Sequence, residues 1–543
     1  MNTHHRYAMA AWCVGYLLLA AALWAQEAAA PRTDGFPQDW SDHNLAFTLD
    51  GLAENPELIY QEPRILHQVM QRFQAHRANA LPEVEAGAEP IYPNTHDRDW
   101  SVALGKGHVS AEMYPAKYSF NPNAQPNCES DFVVFGLATA GATGGQANLV
   151  GLNNLYAGTG GFCATGPSVM FAYNATTVSG GKIVTSPVIS LDGTKIAFVE
   201  SLGTASIFHV LTFTAGQGGV STAAAPAAMT SLTYSSFTNT TSSPWIDYSS
   251  DVVYVGDNEG IIYKIINVFS GTPALAGSPW PVTVASGIFL TPPVLDKSRG
   301  LLLVGGKDGD LYEINTTNGA ISALIVGAHG GKNAGVVAPP IVDVTNGTTF
   351  AVSANDGTSA VVVQADTTTL TQLAKARIGV GASTGTTLNT HQPALSNAYY
   401  TNPSSGAIYA CGTGAGADTS PWAYSFGFVG RLMNTSPASS HQLLTTAGVG
   451  CTSWTEFFNP NVGGANGTDY FFFGFPEDCT GSGTSGCVVE ITTASATPTM
   501  VAMEGGPSGI VVDNYSTDGQ ASSIYLTGQG VNNAYKFTQN GLH

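Results

Sequence analysis

A phrase recurs along the chain: a proline-led start, a short apolar run, a Gly/Asp/Asn turn, then a second apolar run. It reads Ser186-Pro187-Val188-Ile189, Ser243-Pro244-Trp245-Ile246, Pro292-Pro293-Val294-Leu295, Pro339-Pro340-Ile341-Val342 and Gln392-Pro393-Ala394-Leu395. Successive prolines of the phrase lie 57, 49, 47 and 53 residues apart by residue number. That period is expected of four-stranded β-propeller blades, and a repeat array constrains the architecture more tightly than any single segment. From Trp100 onward the chain is rich in Gly, Ser, Thr and Val, with turn signals about every ten residues, so the domain reads as all-β.

The phrase and its turns parse into eight blades. Blade one holds Lys117–Phe120, Asp131–Leu137, Ala147–Tyr156 and Val169–Tyr173. Later blades begin near Ser186, Ser243, Thr291, Ala338, His391, Ser453 and Ser508. Each first strand is short and apolar, as an inner strand beside a central channel would be. Asp192-Gly193, Asp308-Gly309, Asp356-Gly357 and Asn318-Gly319 supply turns with positive φ. The prolines sit at strand starts, where no ladder donor is required. The eighth blade ends after three strands at Phe537, and a ring must close or leave an open edge. Trp100–Leu104 is the expected closing strand. A seven-bladed ring is the alternative, because blade one is irregular.

Residues 1–98 differ from the repeat. His4, His5 and Arg6 precede an apolar stretch from Ala8 to Trp24, and Leu23-Trp24-Ala25 offers a small residue for cleavage. Residues 1–25 therefore read as a secretory signal peptide cleaved after Ala25, leaving no membrane insertion; the alternative is an uncleaved membrane anchor, for which the apolar run is short. Residues 26–98 form an N-terminal segment in which Ile65, Leu66, Val69, Met70 and Phe73 recur at helical spacing after Glu62-Pro63. One amphipathic helix packing on the rim is expected there, followed by a linker over Ala80–Asn94 and the propeller over 99–543.

Without residues 1–25 the balance is 18 basic to 38 acidic side chains, a net charge of −20. Such a surface repels phosphate backbones and anionic lipid, so nucleic acid is not an expected partner. The chain reads as exported, secreted or periplasmic. Its six remaining cysteines suit an oxidising compartment, although six allow 15 pairings. In a four-stranded meander, the loops after strands one and three share a face, as do those after strands two and four. Cys128 and Cys163 fall on one face, Cys411 and Cys451 on the other, and Cys479 and Cys487 bracket a hairpin. The pairing 128–163, 411–451 and 479–487 satisfies that topology. No Cys-x-x-Cys or Cys/His cluster appears, so no metal is expected.

The stretch Gly306-Lys307-Asp308-Gly309-Asp310-Leu311-Tyr312-Glu313-Ile314-Asn315-Thr316-Thr317-Asn318-Gly319 resembles the repeat of quinoprotein-like (PQQ-like) β-propellers. Gly256-Asp257-Asn258-Glu259-Gly260-Ile261-Ile262-Tyr263-Lys264-Ile265 echoes it. The resemblance covers roughly Lys182 to Gln364. It implies a propeller of a superfamily that includes quinone-dependent dehydrogenases, outer-membrane assembly lipoproteins and many exported proteins without assigned activity. The chain departs from that pattern in three ways. Ala320-Ile321 replaces the family's tryptophan after the turn, no adjacent cysteine pair occurs, and no Trp/Asp set clusters to sandwich a quinone and ligate calcium. No cofactor is expected, with quinone plus calcium as the one the resemblance leaves open.

Candidate binding residues at the channel mouth are Glu259, Lys307, Asp308, His391, Trp454 and Glu456, with Asp257, Asn258, Asn355 and Asp356 nearby. Converging carboxylates suit a cation or a sugar, yet Asp and Asn at these offsets are also what β-turns require. His391 and Glu456 are not usual turn residues, and the pair would serve as acid and base if in hydrogen-bond reach. His209 reads as a core histidine and Tyr470–Phe473 as a buried strand. Gly141–Gly145 reads as a loop, and no Gly-x-Ser-x-Gly elbow appears. The expected function is a non-catalytic binding or scaffold propeller presenting a rim or channel mouth to a protein or glycan. The alternative is a carbohydrate lyase or hydrolase, or a quinone-dependent oxidoreductase. The channel lining discriminates between them: three or more converging ionisable groups, with a bound cation or strongly shifted pKa values, favour the enzyme, and a mouth of Ser, Thr and Gly with one exposed apolar patch favours binding.

Overall fold

A computed structural model describes residues 35–78, 96–119, 126–329 (apart from 159, 165 and 237), 335–380, 390–459, 467–479, 485–493, 497–514 and 520–539. The expected signal peptide and the linker Ala80–Asn94 lie outside the described residues. Eight antiparallel sheets follow one another in chain order, each a four-stranded blade or a variant of one. Their inner strands are Ala116–Ser119, Val188–Ile189, Trp245–Asp247, Val294–Asp296, Ile341–Asp343, Ala394–Leu395, Thr455–Asn459 and Val511–Asn514. The chain is an eight-bladed β-propeller.

The recurring phrase has a physical reason in this ring. Residues at or next to the position before the inner strand pin one blade to the next. Tyr114 N–H donates to Ser186 Oγ (2.9 Å), and Ser186 N–H donates in turn to Ser243 Oγ (2.9 Å). Ser242 Oγ donates to the Thr291 carbonyl (3.0 Å). Trp454 N–H reaches Gln392 O (3.0 Å), and Gly509 N–H reaches Met113 O (3.1 Å) across the seam between blades eight and one. The proline that follows needs no such donor. The Asp-Gly turns also behave as their sequence demands: Gly193 has φ 69°, and a Cβ there would lie 2.4 Å from the Tyr118 ring.

Blade eight lacks an outer strand of its own. His96–Ala103 supplies it, pairing antiparallel with Asn533–Gln539 so that Ser101 faces Tyr535 and Val102 faces Ala534. Trp100 is buried in this seam, donating from Nε1 to Leu155 O (3.2 Å) with its ring 6.1 Å from Tyr525. The disulfides are Cys128–Cys163, Cys411–Cys451 and Cys479–Cys487, with Cα separations of 5.7, 6.1 and 5.8 Å. Tyr470–Phe473 is buried, and His209 is a satisfied core histidine held by Glu200 (3.0 Å) and Ser231 (2.9 Å).

The N-terminal segment does not pack on the rim. Phe36–Gln38 pairs antiparallel with the inner strand of blade one, and Leu45–Ala46 pairs parallel with the inner strand of blade five. Blades one and five are diametrically opposed in a ring of eight, so the intervening residues must cross the channel. On the way Trp40 Nε1 donates to Pro244 O (3.2 Å), Gln392 Nε2 to His43 O (3.1 Å) and Asn44 Nδ2 to Pro340 O (2.9 Å). The physical reason is edge chemistry: inner strands leave an unpaired ladder edge facing the axis, and this segment satisfies two of them. Three helices follow, rather than one: Leu49–Glu54, Glu57–Gln61 and Pro63–Ala78. The last buries Ile65, Leu66 and Val69 over the channel end where the inner strands finish; the Phe73 side chain lies outside the described residues. We refer to residues 36–72 as the plug.

Candidate functional site

The plug closes one end of the channel, and among the described residues nothing closes the other end. There the residues just before the inner strands form a cup of about 440 Å³, within the size range of small-ligand sites. Its floor includes Trp40 of the plug, which packs edge-on against Trp245 at 5.7 Å. Its wall carries hydroxyls from Ser110, Ser186, Thr241, Ser243, Thr291 and Ser453, with Glu112, Lys307 and His391 among them. An apolar arc runs through Phe289, Leu290, Val336 and Val337.

Glu112 is the most constrained of these side chains. Its φ is +58°, a left-handed conformation that a glutamate rarely adopts, and such strain persists only where the surroundings impose it. The carboxylate accepts from Ser453 Oγ (2.7 Å), and the same oxygen lies 3.4 Å from His391 Nδ1. Tyr114 stands beside it. Burial first, and the Glu112 charge second, push its phenol well up, so it stays protonated. Lys307 sits at the opposite wall with its ammonium 5.0 Å from the Phe289 ring, itself 41% exposed.

The structure brings together two of the six candidates read from the sequence, Lys307 and His391. Glu456 belongs elsewhere: it lies on an inner strand at plug level, 3.1 Å from Arg72 of the plug helix. His391 precedes its inner strand while Glu456 lies inside the next one, so they face opposite ends of the channel and no His391–Glu456 acid–base pair exists. Trp454 is buried, stacked parallel on Phe473 at 4.2 Å. Glu259 is exposed on its turn and does not line the cup. Asp308 serves its own turn and accepts from Tyr312 OH (2.6 Å); Asp310 and His329 lie close by. Asp257, Asn355 and Asp356 likewise accept backbone N–H groups of their turns. Glu112, Tyr114, Ser453 and Phe289 were missed. Ser186 and Ser243 ahead of their prolines, and Thr291 ahead of Pro292-Pro293, were the available signal for the hydroxyl wall; nothing local marks Glu112.

A second, smaller space of about 50 Å³ lies under the plug helix. Gln38 Oε1, Arg72 Nε, Trp454 Nε1 and Glu456 Oε1 border it without a protein partner among the described residues. A chamber that small and polar suits buried water.

A quinone with calcium does not fit these residues. The axis between the inner strands is filled by Trp40, His43 and Arg64, and the carboxylate that lines the cup among the described residues, Glu112, is already held by Ser453.

No protein-family model and no curated protein matches the chain. Among solved structures it is similar to BamB from Moraxella catarrhalis, at 16% identity and a TM-score of 0.44, covering 82% of this chain and 100% of that one. The Dos1 propeller aligns at 10% identity and a TM-score of 0.46, covering 82% and 95%. The WD40 domain of Toxoplasma gondii coronin aligns at 10% identity and a TM-score of 0.38, covering 64% and 80%. At these scores the propeller assignment rests on the chain's own strand pairing. Among the described residues no helix is long and apolar enough to cross a membrane. The three disulfides suit an oxidising, non-cytoplasmic compartment.

Proposed function

We propose that this is an exported, quinoprotein-like propeller that binds the end of a glycan in the open cup. The observation that carries this reading is the dead-end cup itself, closed below by the chain's own plug and walled by hydroxyls with one aromatic-bearing apolar arc. Hydroxyl-rich walls exchange hydrogen bonds with sugar hydroxyls, and an apolar arc accepts the C–H face of a pyranose. A cup of about 440 Å³ suits a small molecule or a chain end better than a folded protein surface. Export through a leader over residues 1–25 is part of the proposal and is checked by finding Gln26 as the mature N-terminus.

The test is a glycan array probed with the full chain and with Thr241→Trp. Thr241 is exposed at the wall, so tryptophan fills the cup without disturbing the blades. Wild type is expected to retain one glycan class, and Thr241→Trp to lose it with an unchanged melting temperature. Retention of no glycan, or equal retention by the variant, refutes the reading. Capture of a protein through the cup instead would return the assignment to a protein-binding scaffold.

A further inference from the structure

Building on the glycan reading, we infer that the cup selects a sugar bearing a carboxylate, such as a terminal uronic acid, with Lys307 as the residue that reads the charge. The argument is an account of the charges in the mouth. The carboxylate that lines it among the described residues, Glu112, is committed: Ser453 Oγ donates to it at 2.7 Å and His391 Nδ1 lies 3.4 Å away. The cations that anchor or surround the plug each hold an acid: Arg64 with Glu62, Arg72 with Glu456, Lys297 with Asp247 and Arg299 with Asp296. Lys307 has no carboxylate partner among the described residues. Its ammonium rests against the Phe289 ring at 5.0 Å, on the cup wall.

An ammonium against a ring face keeps most of its capacity to bind an anion, because the ring supplies no lone pairs. The same wall therefore offers a donor for a charge-assisted hydrogen bond and apolar surface for the sugar's C–H face. The Ser110 and Thr241 hydroxyls, the less buried ones of the same wall, lie within the cup for the remaining oxygens. The net charge of the chain sets the form of the ligand. At −20 without residues 1–25, the protein repels long polyanions. A dead-end cup whose wall, among the described residues, carries Lys307 as an uncommitted cation instead takes the terminus of an acidic saccharide, one carboxylate deep.

Calorimetric titration decides it. The full chain is titrated with digalacturonate and with its neutral counterpart, digalactose, and the titrations are repeated on Lys307→Ala and Lys307→Arg. Lys307 is exposed, so neither substitution endangers folding. Digalacturonate is expected to bind at least tenfold more tightly than digalactose; Lys307→Ala removes that preference, and Lys307→Arg retains most of it. The inference is overturned if the two sugars bind equally, or if Lys307→Ala leaves digalacturonate affinity unchanged. Equal binding of both sugars leaves the glycan reading standing. Failure of both sugars to bind, together with an empty array, removes the glycan reading and this inference with it.

Discussion

Arg64 is the residue that locks the plug to the ring. Its side chain is 3% exposed, and each of its three nitrogens donates a hydrogen bond. Nη1 donates to Glu62 Oε1 (2.8 Å), Nε to Ser41 Oγ (2.6 Å) and Nη2 to the Ile246 carbonyl of blade three (3.0 Å). The guanidinium also lies 4.3 Å from the Trp245 ring and 5.1 Å from Tyr248. Arg64→Met keeps the bulk but strands Glu62, whose side chain is only 7% exposed and whose carboxyl burial already pushes up. Removing one partner of a buried ion pair costs about 3–5 kcal/mol. Since every 1.4 kcal/mol is tenfold, plug opening should rise by roughly two to three and a half orders of magnitude.

Hydrogen exchange reads this directly. Amides of Leu45–Ala46 and of the Asn44 crossing should lose protection in Arg64→Met, while those of Val252–Gly256 within blade three keep theirs. The double variant Arg64→Met/Glu62→Gln removes both charges and should recover most of the loss, because an uncompensated charge rather than a missing contact causes it. If Arg64→Met leaves plug exchange unchanged, or if the double variant is as open as the single, the plug is not held by this pair.

Two further predictions concern stability. Burial, with the charges of Asp366 and Asp296 behind it, raises the Glu313 carboxyl to about 7 from an ordinary 4.5. The folded chain then holds a proton that the unfolded chain has released, so this group's contribution to stability declines as pH climbs from 4.5 past 7; Glu313→Gln should flatten that slope in melting temperature against pH, and an unaltered slope would refute the assignment. Opening Cys411–Cys451 by a double serine substitution frees a loop of 40 residues, against 8 for Cys479–Cys487. Chain entropy puts these at about 4 and about 2.5 kcal/mol, so denaturant midpoints should fall further for the first; the reverse order would show that native-state strain dominates.

Much of the ring was legible from sequence because its information is local. The Pro-led strands, Asp-Gly turns and their period sit within each blade, and the cysteines pair within a blade, across one inter-blade loop or across one hairpin. The closing strand was legible for a related reason: a three-stranded last blade demands a partner, and Trp100-Ser101-Val102-Ala103-Leu104 is the strand-like run left over. The plug was not, because Phe36–Gln38 and Leu45–Ala46 are too short to carry a period, and their partners stand on opposite blades. The cup was only half legible. Lys307 and His391 stood out as polar residues near strand starts, whereas Glu112 acquires its meaning from Ser453, 341 positions away. Alternation and turn chemistry are properties of neighbours along a chain, so they specify blades. What faces the channel axis is decided only when the ring closes and brings eight strand starts to one mouth.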